Sequence, residues 1–117
     1  MERRLRLRQT SDFERIRQQG RKYPHRTMIL SVMPNELSHN RYGIVTSKRL
    51  GNAVGRNRVR RLIREALRSF HAHLQSGFDV VIVARPSVVG QPLEVVRRII
   101  EELLVQSGLL RVESDVM

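Results

Sequence analysis

Residues 47–70 (SKRLGNAVGRNRVRRLIREALRSF) constrain the fold more than any other stretch of the chain. From about Asn57 onward, apolar residues recur at the spacing that places them on one stripe of an α-helix. The stripe consists of Val59, Leu62, Ile63, Ala66, Leu67 and Phe70. At about 100° per residue, the opposite side carries Asn57, Arg60, Arg61, Arg64 and Arg68. The pattern predicts a helix to about Leu74, with one face in a core and one face of guanidinium groups.

The charge of this helix face indicates a polyanionic partner. Glu65 is the only acid in the stretch, so the arginines repel one another with little compensation. A charged helix face is usually only solvated, but arginine is preferred where planar, bidentate contact with phosphate matters. All but two of the 22 basic residues are arginines, and the formal net charge is +11 over 117 residues. Nucleic acid is the expected partner, and an anionic membrane surface is the weaker alternative.

Two glycines precede the helix and raise the question of a phosphate-binding loop. Gly51 and Gly55 flank Asn52-Ala53-Val54, but no Gly-Lys-Ser/Thr follows, so the spacing is not that of a P-loop. The glycines instead predict a tight turn from a strand into the helix, with Asn52 as its N-cap.

The remaining elements follow from periodicity and from turn residues. Residues 1–9 are predicted to be a basic arm that is extended or frayed without a partner. A short helix over residues 10–19 is expected to begin with a capping box, formed by Thr10 or Ser11 with Glu14, and to end at Gly20. Strands are predicted at 26–33 and 41–47, paired with each other, and at 78–85, a continuous apolar run buried on both faces.

The last helix is predicted to start near Pro92 and to end at Gly108, followed by a tail over residues 109–117. Its apolar stripe contains Leu93, Val96, Ile99, Ile100, Leu103 and Leu104. The order α β β α β α, with a further strand expected around residues 44–50, predicts one α+β domain over residues 1–117. It is expected to be an αβ sandwich with its helices on one face of a small sheet, leaving the other face partly open.

The sequence carries no constellation typical of a catalytic or metal centre. There is no cysteine, which excludes disulfides, thiolate nucleophiles and cysteine-ligated zinc. His71 and His73 point to different sides of a helix, and the acids do not gather as two-metal phosphoryl transfer requires. The longest apolar run, residues 80–84, is too short to cross a membrane, and the N-terminus lacks the apolar region of a signal peptide. We therefore expect a cytoplasmic binding protein.

The basic stretch resembles the signature of the bacterial ribonuclease P protein component. The resemblance rests on Ser47-Lys48-Arg49, then Gly51-Asn52-Ala53-Val54, then Arg56-Asn57-Arg58-Val59-Arg60-Arg61-Leu62-Ile63-Arg64. Further parts of that family are similar to two other segments of this chain. One runs from Leu7 through Asp12-Phe13 to Gly20, and the other is Arg41-x-Gly43. Nearly the whole chain, about residues 5–106, is covered.

This resemblance implies a particular fold and function. The fold is an αβ sandwich like domain 2 of ribosomal protein S5, in the order αβββαβα, with a left-handed β-α-β crossover that the usual handedness rule would not predict. The implied function is removal of the 5′ leader from precursor tRNA as the protein subunit of ribonuclease P. The RNA subunit and its bound Mg²⁺ carry out the chemistry, and the protein itself has no metal site.

The resemblance also implies two groups of binding residues. The group expected to contact the catalytic RNA is Lys48, Arg49, Asn52, Arg56, Asn57, Arg58, Arg60, Arg61, Arg64 and Arg68. The leader is expected in a cleft with Phe13, Arg17 and Ser31, where Arg17 and Ser31 replace aromatic residues common in the family. The alternative is that Phe13 belongs only to the core.

Two other binding functions suit the same charge pattern. A ribosomal or rRNA-assembly protein would use the arginine face as a structural RNA contact. Sequence-specific DNA binding fits the helix face less well. Asn57 is the only amide there of the kind that reads bases, and the arginines suit contacts with the sugar-phosphate backbone.

Overall fold

The computed structural model describes residues 2–111. Its helices and strands are α1 (Thr10–Gln19), β1 (Arg21–Pro24), β2 (Met28–Pro34), β3 (Arg41–Val45), α2 (Ala53–Phe70), β4 (Phe78–Ala84) and α3 (Leu93–Ser107). Short 3₁₀ turns lie at Arg3–Leu5, Lys48–Leu50, His71–His73 and Pro86–Val88. The αβββαβα order that the resemblance implies is confirmed.

The strands form one four-stranded sheet in the order β1-β2-β4-β3. β2 is antiparallel to β1 and β4, whereas β3 is parallel to β4, so α2 is the crossover between two parallel neighbours. The prediction that the strands at 26–33 and 41–47 pair with each other is therefore wrong. The apolar β4 lies between them, paired with β2 along one edge and with β3 along the other. The left-handed sense of the crossover stays a prediction.

Of the three strands before α2, β1 is the one that the sequence pattern does not predict. The further strand expected around residues 44–50 is absent, since Lys48–Leu50 is a 3₁₀ turn. β1 pairs with β2 from Arg21↔Val32 to Pro24↔Ile29. It is an edge strand with a mostly exposed, polar sequence, which accounts for its proline and for its weak periodic signal.

The larger core lies between α2, α3 and one side of the sheet. Leu30, Val80 and Ile82 from the central strands are no more than 1% exposed there. The stripe of α3 is buried from Val96 to Leu104, each large side chain contributing about 1.5–3 kcal/mol to the free energy of unfolding. Leu93 is the exception, because it is 38% exposed at the first turn.

α1 lies on the other side of the sheet, so the prediction that all helices share one face is wrong. Ile16 is fully buried in a second, smaller cluster with Leu7 and Val81. Successive residues of β4 point to opposite sides, which is why the continuous apolar run of this strand feeds both cores. A ten-residue helix with few inward positions covers only part of this side of the sheet.

The described parts of both terminal segments, residues 2–9 and 109–111, contact the rest of the fold. Leu5 and Leu7 are buried, and the Leu7 N–H donates to the Tyr42 carbonyl at 2.8 Å, so the arm is docked along β3 rather than frayed. Leu5 packs in the larger core, and Leu7 packs in the smaller cluster with Ile16 and Val81. At the other end Leu109 is buried and Leu110 pairs with Leu74. Met1 and residues 112–117 lie outside the described residues.

The helix ends match the sequence in some places and differ in others. Asn52 is the N-cap of α2, and its Oδ1 accepts the Gly55 N–H at 2.9 Å, as predicted. α2 ends at Phe70 rather than Leu74, and a 3₁₀ turn follows it. The capping box of α1 is not formed, because the helix starts at Thr10 and its N-cap is Gln9. Gly108 ends α3 in the left-handed conformation, at φ 85°.

Candidate nucleic-acid interface

α2 separates its apolar and basic residues as the sequence predicted. Val59, Ile63 and Leu67 are at most 2% exposed, while Arg61 and Arg68 lie on the exposed side. The hydrophobic attachment of one face to the core therefore holds the other face rigidly toward solvent. Rigid presentation matters here, because a guanidinium that is already positioned loses less entropy when it binds.

The turn before α2 presents two more cations. Lys48 and Arg49 are exposed on the 3₁₀ turn, which is closed at its start by the Arg49 N–H donating to Ser47 Oγ at 3.3 Å. Gly51 follows with φ 113°, a conformation that favours glycine and redirects the chain into α2. Asn52, predicted as an RNA contact, uses its side-chain oxygen as the helix cap.

Arg60 is held in place by neutral groups. Its guanidinium donates to Asn57 Oδ1 at 2.8 Å and to Thr46 Oγ1. Both acceptors orient the guanidinium without cancelling its charge. The two site residues Asn57 and Arg60 are therefore brought together, with Asn57 acting on Arg60 within the same helix face.

The positive charge of the face is largely uncompensated. Arg68 contacts Glu65 at 3.5 Å, but both side chains are more than half exposed, so this pair contributes little. In the described part of the chain, no carboxylate lies within 4.0 Å of the other predicted RNA-contacting cations. Burial lowers the pKa of Arg64, and the charges of Arg6 and Arg60 lower it further.

Not every basic residue of α2 lies on the same flank. Arg60 and Arg64 line a cavity toward β3, whereas Arg58 and Arg61 line a shallow depression with Leu62 and Glu65. The arginines therefore spread over a wide arc of the helix rather than forming one line. A ligand that contacts both flanks would have to wrap around the exposed side of α2.

The second candidate surface is the side of the sheet that α1 partly covers, called here the α1 side. The strand register puts its residues in rows across the sheet. One row, in strand order, is Lys22, Ser31, Val81 and Gly43. The next row is Pro24, Ile29, Val83 and Val45. Ile29, Val83 and Val45 are only partly buried, so this second row forms an apolar strip open to a ligand.

Phe13 packs directly on the backbone of β3. A Cβ on Gly43 would lie 2.4 Å from Phe13 Cε1 and 2.6 Å from Cζ, so the ring occupies the space that any other residue would fill. Phe13 remains partly exposed while its ring rests on Gly43. The two interpretations from sequence, cleft residue and core residue, are therefore both compatible with its position.

The other two predicted cleft residues differ in accessibility. Arg17 is exposed on α1, one turn after Phe13. Ser31 is 1% exposed, so its side chain offers no surface for a base to stack on, and its predicted cleft role does not fit. The open positions are instead Ile29, Val83 and Val45. Side chains alternate between the two faces of a strand, so these positions could be predicted only once the register of the three strands was known.

Two features are absent from residues 2–111. No group of three or more histidine, aspartate or glutamate side chains comes together as a metal site would require. None of the described helices is long and apolar enough to span a membrane.

The fold and the surface define a class, that of a small α+β domain that presents a rigid, arginine-rich helix. The Ribonuclease P family model matches residues 1–107. The ribonuclease P protein component of Chloroflexus aurantiacus is 41% identical over 111 residues, covering 94% of this chain and 82% of that protein. The ribonuclease P protein component of Caldanaerobacter subterraneus subsp. tengcongensis is 37% identical over 103 residues, covering 88% of this chain and 89% of that protein.

Solved structures give the same result. The Staphylococcus aureus RNase P protein superimposes with a TM-score of 0.84 at 30% identity, covering 92% of this chain and 98% of that one. The Thermotoga maritima RNase P protein does so with a TM-score of 0.75 at 28% identity, covering 92% and 97%. The chain belongs to the ribonuclease P protein family.

Proposed function

We propose that this chain, as the protein subunit of ribonuclease P, assists removal of the 5′ leader from precursor tRNA while the RNA subunit carries out the chemistry. The observation that carries this role is the uncompensated arginine face of α2. Family membership identifies the RNA partner, and the face supplies the means of binding it.

The α2 face and the preceding turn bind the backbone of the catalytic RNA. Arginines make planar, bidentate contacts with phosphate oxygens, and release of counterions from the RNA drives the association. The contacting group is the one predicted from sequence, with Lys48 and Arg49 at the turn and Arg61 at the centre of the exposed side. Asn52 and Asn57 act mainly by shaping the surface, since both use their side-chain oxygens within the helix.

The single-stranded leader lies on the α1 side of the sheet. Phe13 offers a ring face, and Arg17 offers a guanidinium that can stack on a base or contact a phosphate. The open strip of Ile29, Val83 and Val45 supplies an apolar surface without aromatic rings. Base stacking on an aromatic is worth about 1–3 kcal/mol per base, and the aliphatic strip lacks that contribution. Because aliphatic side chains also offer no hydrogen bonds to base edges, the strip should bind the leader with little sequence preference.

The metal and the cellular location follow from the partner. The Mg²⁺ that the reaction needs is bound by the RNA subunit. Because precursor tRNA in a bacterium is made and processed in the cytoplasm, the protein acts there.

Reconstitution tests this function. The protein is mixed with a bacterial ribonuclease P RNA at low Mg²⁺, and cleavage of a precursor tRNA that carries a leader is followed. Wild type is expected to stimulate cleavage, and Arg56→Ala/Arg60→Ala/Arg64→Ala is expected to lose that stimulation. Arg21→Ala/Arg26→Ala/Arg98→Ala removes equal charge from exposed sites outside α2 and should retain it. Tight, salt-sensitive RNA binding without stimulation by wild type would contradict the proposal and favour a structural RNA-binding role.

A further inference from the structure

Thr46 lies one residue beyond the end of β3, and its hydroxyl contacts an arginine of the basic face of α2. Tyr42 and Ile44 of β3 both pack in the larger core, on the side of the sheet that α2 covers. Because side chains alternate along a strand, Thr46 continues this row toward the same helix. Its Oγ1 accepts a hydrogen bond from Nη2 of Arg60, which lies 14 residues further along the chain.

The guanidinium of Arg60 is thereby held from two sides. Nη1 donates to Asn57 Oδ1 at 2.8 Å, and Nη2 donates to the Thr46 hydroxyl. Asn57 is exposed, whereas Thr46 and Arg60 are half-buried, so Thr46 is the more firmly placed of the two acceptors. Within the described residues, no carboxylate lies within 4.0 Å of Arg60. Arg60 therefore keeps its whole charge, and its remaining N–H groups are free for a phosphate.

This hydrogen bond also joins two parts of the basic surface. The other side-chain hydrogen bonds of the connection between β3 and α2, at Ser47 and Asn52, stay within three residues along the chain. In the described part of the chain, the bond from Arg60 to Thr46 is the side-chain hydrogen bond that reaches from this connection to the body of α2. It fixes the cations of the turn relative to those of the helix.

We propose that Thr46 is a positioning residue for RNA binding, whose hydroxyl holds Arg60 in the orientation that meets a backbone phosphate of the catalytic RNA. The proposal rests on the proposed function, which supplies the RNA. An arginine side chain loses rotamer freedom when it binds, and a guanidinium that is already fixed loses less. The acceptor has to be neutral, because a carboxylate here would hold Arg60 but also cancel the charge that attracts phosphate.

The first test measures the dissociation constant of the catalytic RNA. Thr46→Val replaces the hydroxyl by a methyl group of similar size, and Thr46→Ser retains the hydroxyl. Thr10→Val makes the same exchange at an exposed position on α1. We expect Thr46→Val to bind about two- to tenfold more weakly, the cost of ordering one long side chain. Thr46→Ser and Thr10→Val should bind as wild type does, and thermal unfolding midpoints establish that all three variants fold.

Two further measurements separate positioning from a general structural role. In an Arg60→Gln background, Thr46→Val should cost no additional affinity, because the group that it positions is gone. NMR relaxation of the protein without RNA should show that the Nε–H of Arg60 is more ordered than that of the exposed Arg61. Thr46→Val should remove this difference.

Thr46→Asp tests the requirement for a neutral acceptor. It should still hold the guanidinium of Arg60, but as an ion pair. We expect it to weaken RNA binding more than Thr46→Val does, and to make the plot of log affinity against log salt shallower by about one unit. Thr46→Val should leave that slope as it is in wild type, since the charge of Arg60 remains.

Wild-type affinity in Thr46→Val, or an equal loss with and without Arg60, would overturn the proposal. So would an Arg60 guanidinium as mobile as that of Arg61 in wild type. These results are distinct from a failure of the proposed function, in which wild type itself would not stimulate cleavage while the NMR comparison, made without RNA, would be unaffected.

Discussion

Arg41 donates to both carboxylate oxygens of Asp79, from Nε to Oδ1 at 2.9 Å and from Nη2 to Oδ2 at 2.8 Å. Asp79 is 1% exposed and also accepts from Asn35 Nδ2 at 2.9 Å, while Arg15 of α1 approaches it at 3.6 Å. The carboxylate therefore links β4 to β3, to the loop after β2 and to α1. The hydrogen bonds that Arg41 donates to Asp79 also raise the pKa of Arg41.

Asp79→Asn should lower the free energy of unfolding by about 3 kcal/mol, because breaking a buried ion pair leaves the other charge without its partner. Urea unfolding at neutral pH measures the difference. Asp12→Asn is the matched control, since Asp12 also pairs with Arg15 but near the surface, and it should cost less than about 1 kcal/mol. Equal costs for the two variants would show that Asp79 does not anchor the four segments.

The buried phenol of Tyr42 should make the fold sensitive to alkali. Burial raises the pKa of Tyr42, whose hydroxyl lies 2.7 Å from His71 Nδ1. A group with a raised pKa in the folded state stabilises the fold fully below its unfolded pKa, about 10 for tyrosine, and this contribution is lost as pH rises through the folded pKa. The free energy of unfolding should therefore fall above about pH 10.

Tyr42→Phe should remove that part of the alkaline loss, at a cost of about 1 kcal/mol at neutral pH for the lost hydrogen bonds. Tyr23→Phe is the control and should leave the alkaline loss in place. Denaturant unfolding between neutral pH and pH 11 gives both curves, and parallel curves for wild type and Tyr42→Phe would contradict this account.

Gly43→Ala should displace the Phe13 ring. The added methyl would lie within 2.6 Å of two ring atoms, and overpacking of this kind costs about 1–3 kcal/mol in the free energy of unfolding. Precursor affinity should fall together with stability, whereas mature tRNA affinity should not change. In Gly43→Ala/Phe13→Leu the smaller side chain makes room for the methyl, so stability should recover while leader affinity stays low. Recovery of leader affinity in this double variant would show that the Phe13 ring does not contact the leader.

Binding to the catalytic RNA should depend steeply on salt. With about 6–10 phosphate contacts, affinity is expected to fall roughly 10³–10⁵-fold between 50 and 200 mM salt. Arg61→Gln should make the plot of log affinity against log salt shallower by about one unit, while Arg98→Gln on α3 should leave the slope unchanged. A filter-binding titration measures the slopes, and identical slopes for all three proteins would exclude Arg61 as a phosphate contact.

The sequence predicted the basic helix well because its signal is local. The 3.6-residue period of Val59, Ile63 and Leu67 and the N-cap at Asn52 both depend on residues close along the chain, and the structure confirms them. The long apolar run of β4 was equally clear, because a strand covered on both faces needs no alternation.

Sheet order was not predictable in the same way. Whether β3 pairs with β2 or with β4 depends on residues far apart in sequence, and the pairing of Arg41 with Asp79 is visible only after folding. β1 was missed because its exposed RKYP sequence has no apolar alternation. The cavity around Arg64 could not be predicted from the sequence for a similar reason. Arg6 lines it only because the N-terminal arm docks on Tyr42.

The most direct test of where the RNAs bind uses the absence of cysteine from the chain. Single cysteines replace Arg61 on α2, Arg17 on α1 and Arg98 on α3, and each carries a tethered iron chelate that generates hydroxyl radicals in the reconstituted complex. We predict that position 61 cuts the catalytic RNA, that position 17 cuts the precursor leader, and that position 98 cuts neither. Cleavage of both RNAs from position 98, with none from positions 61 and 17, would contradict the assignment of the α2 face and the α1 side as the RNA-binding surfaces.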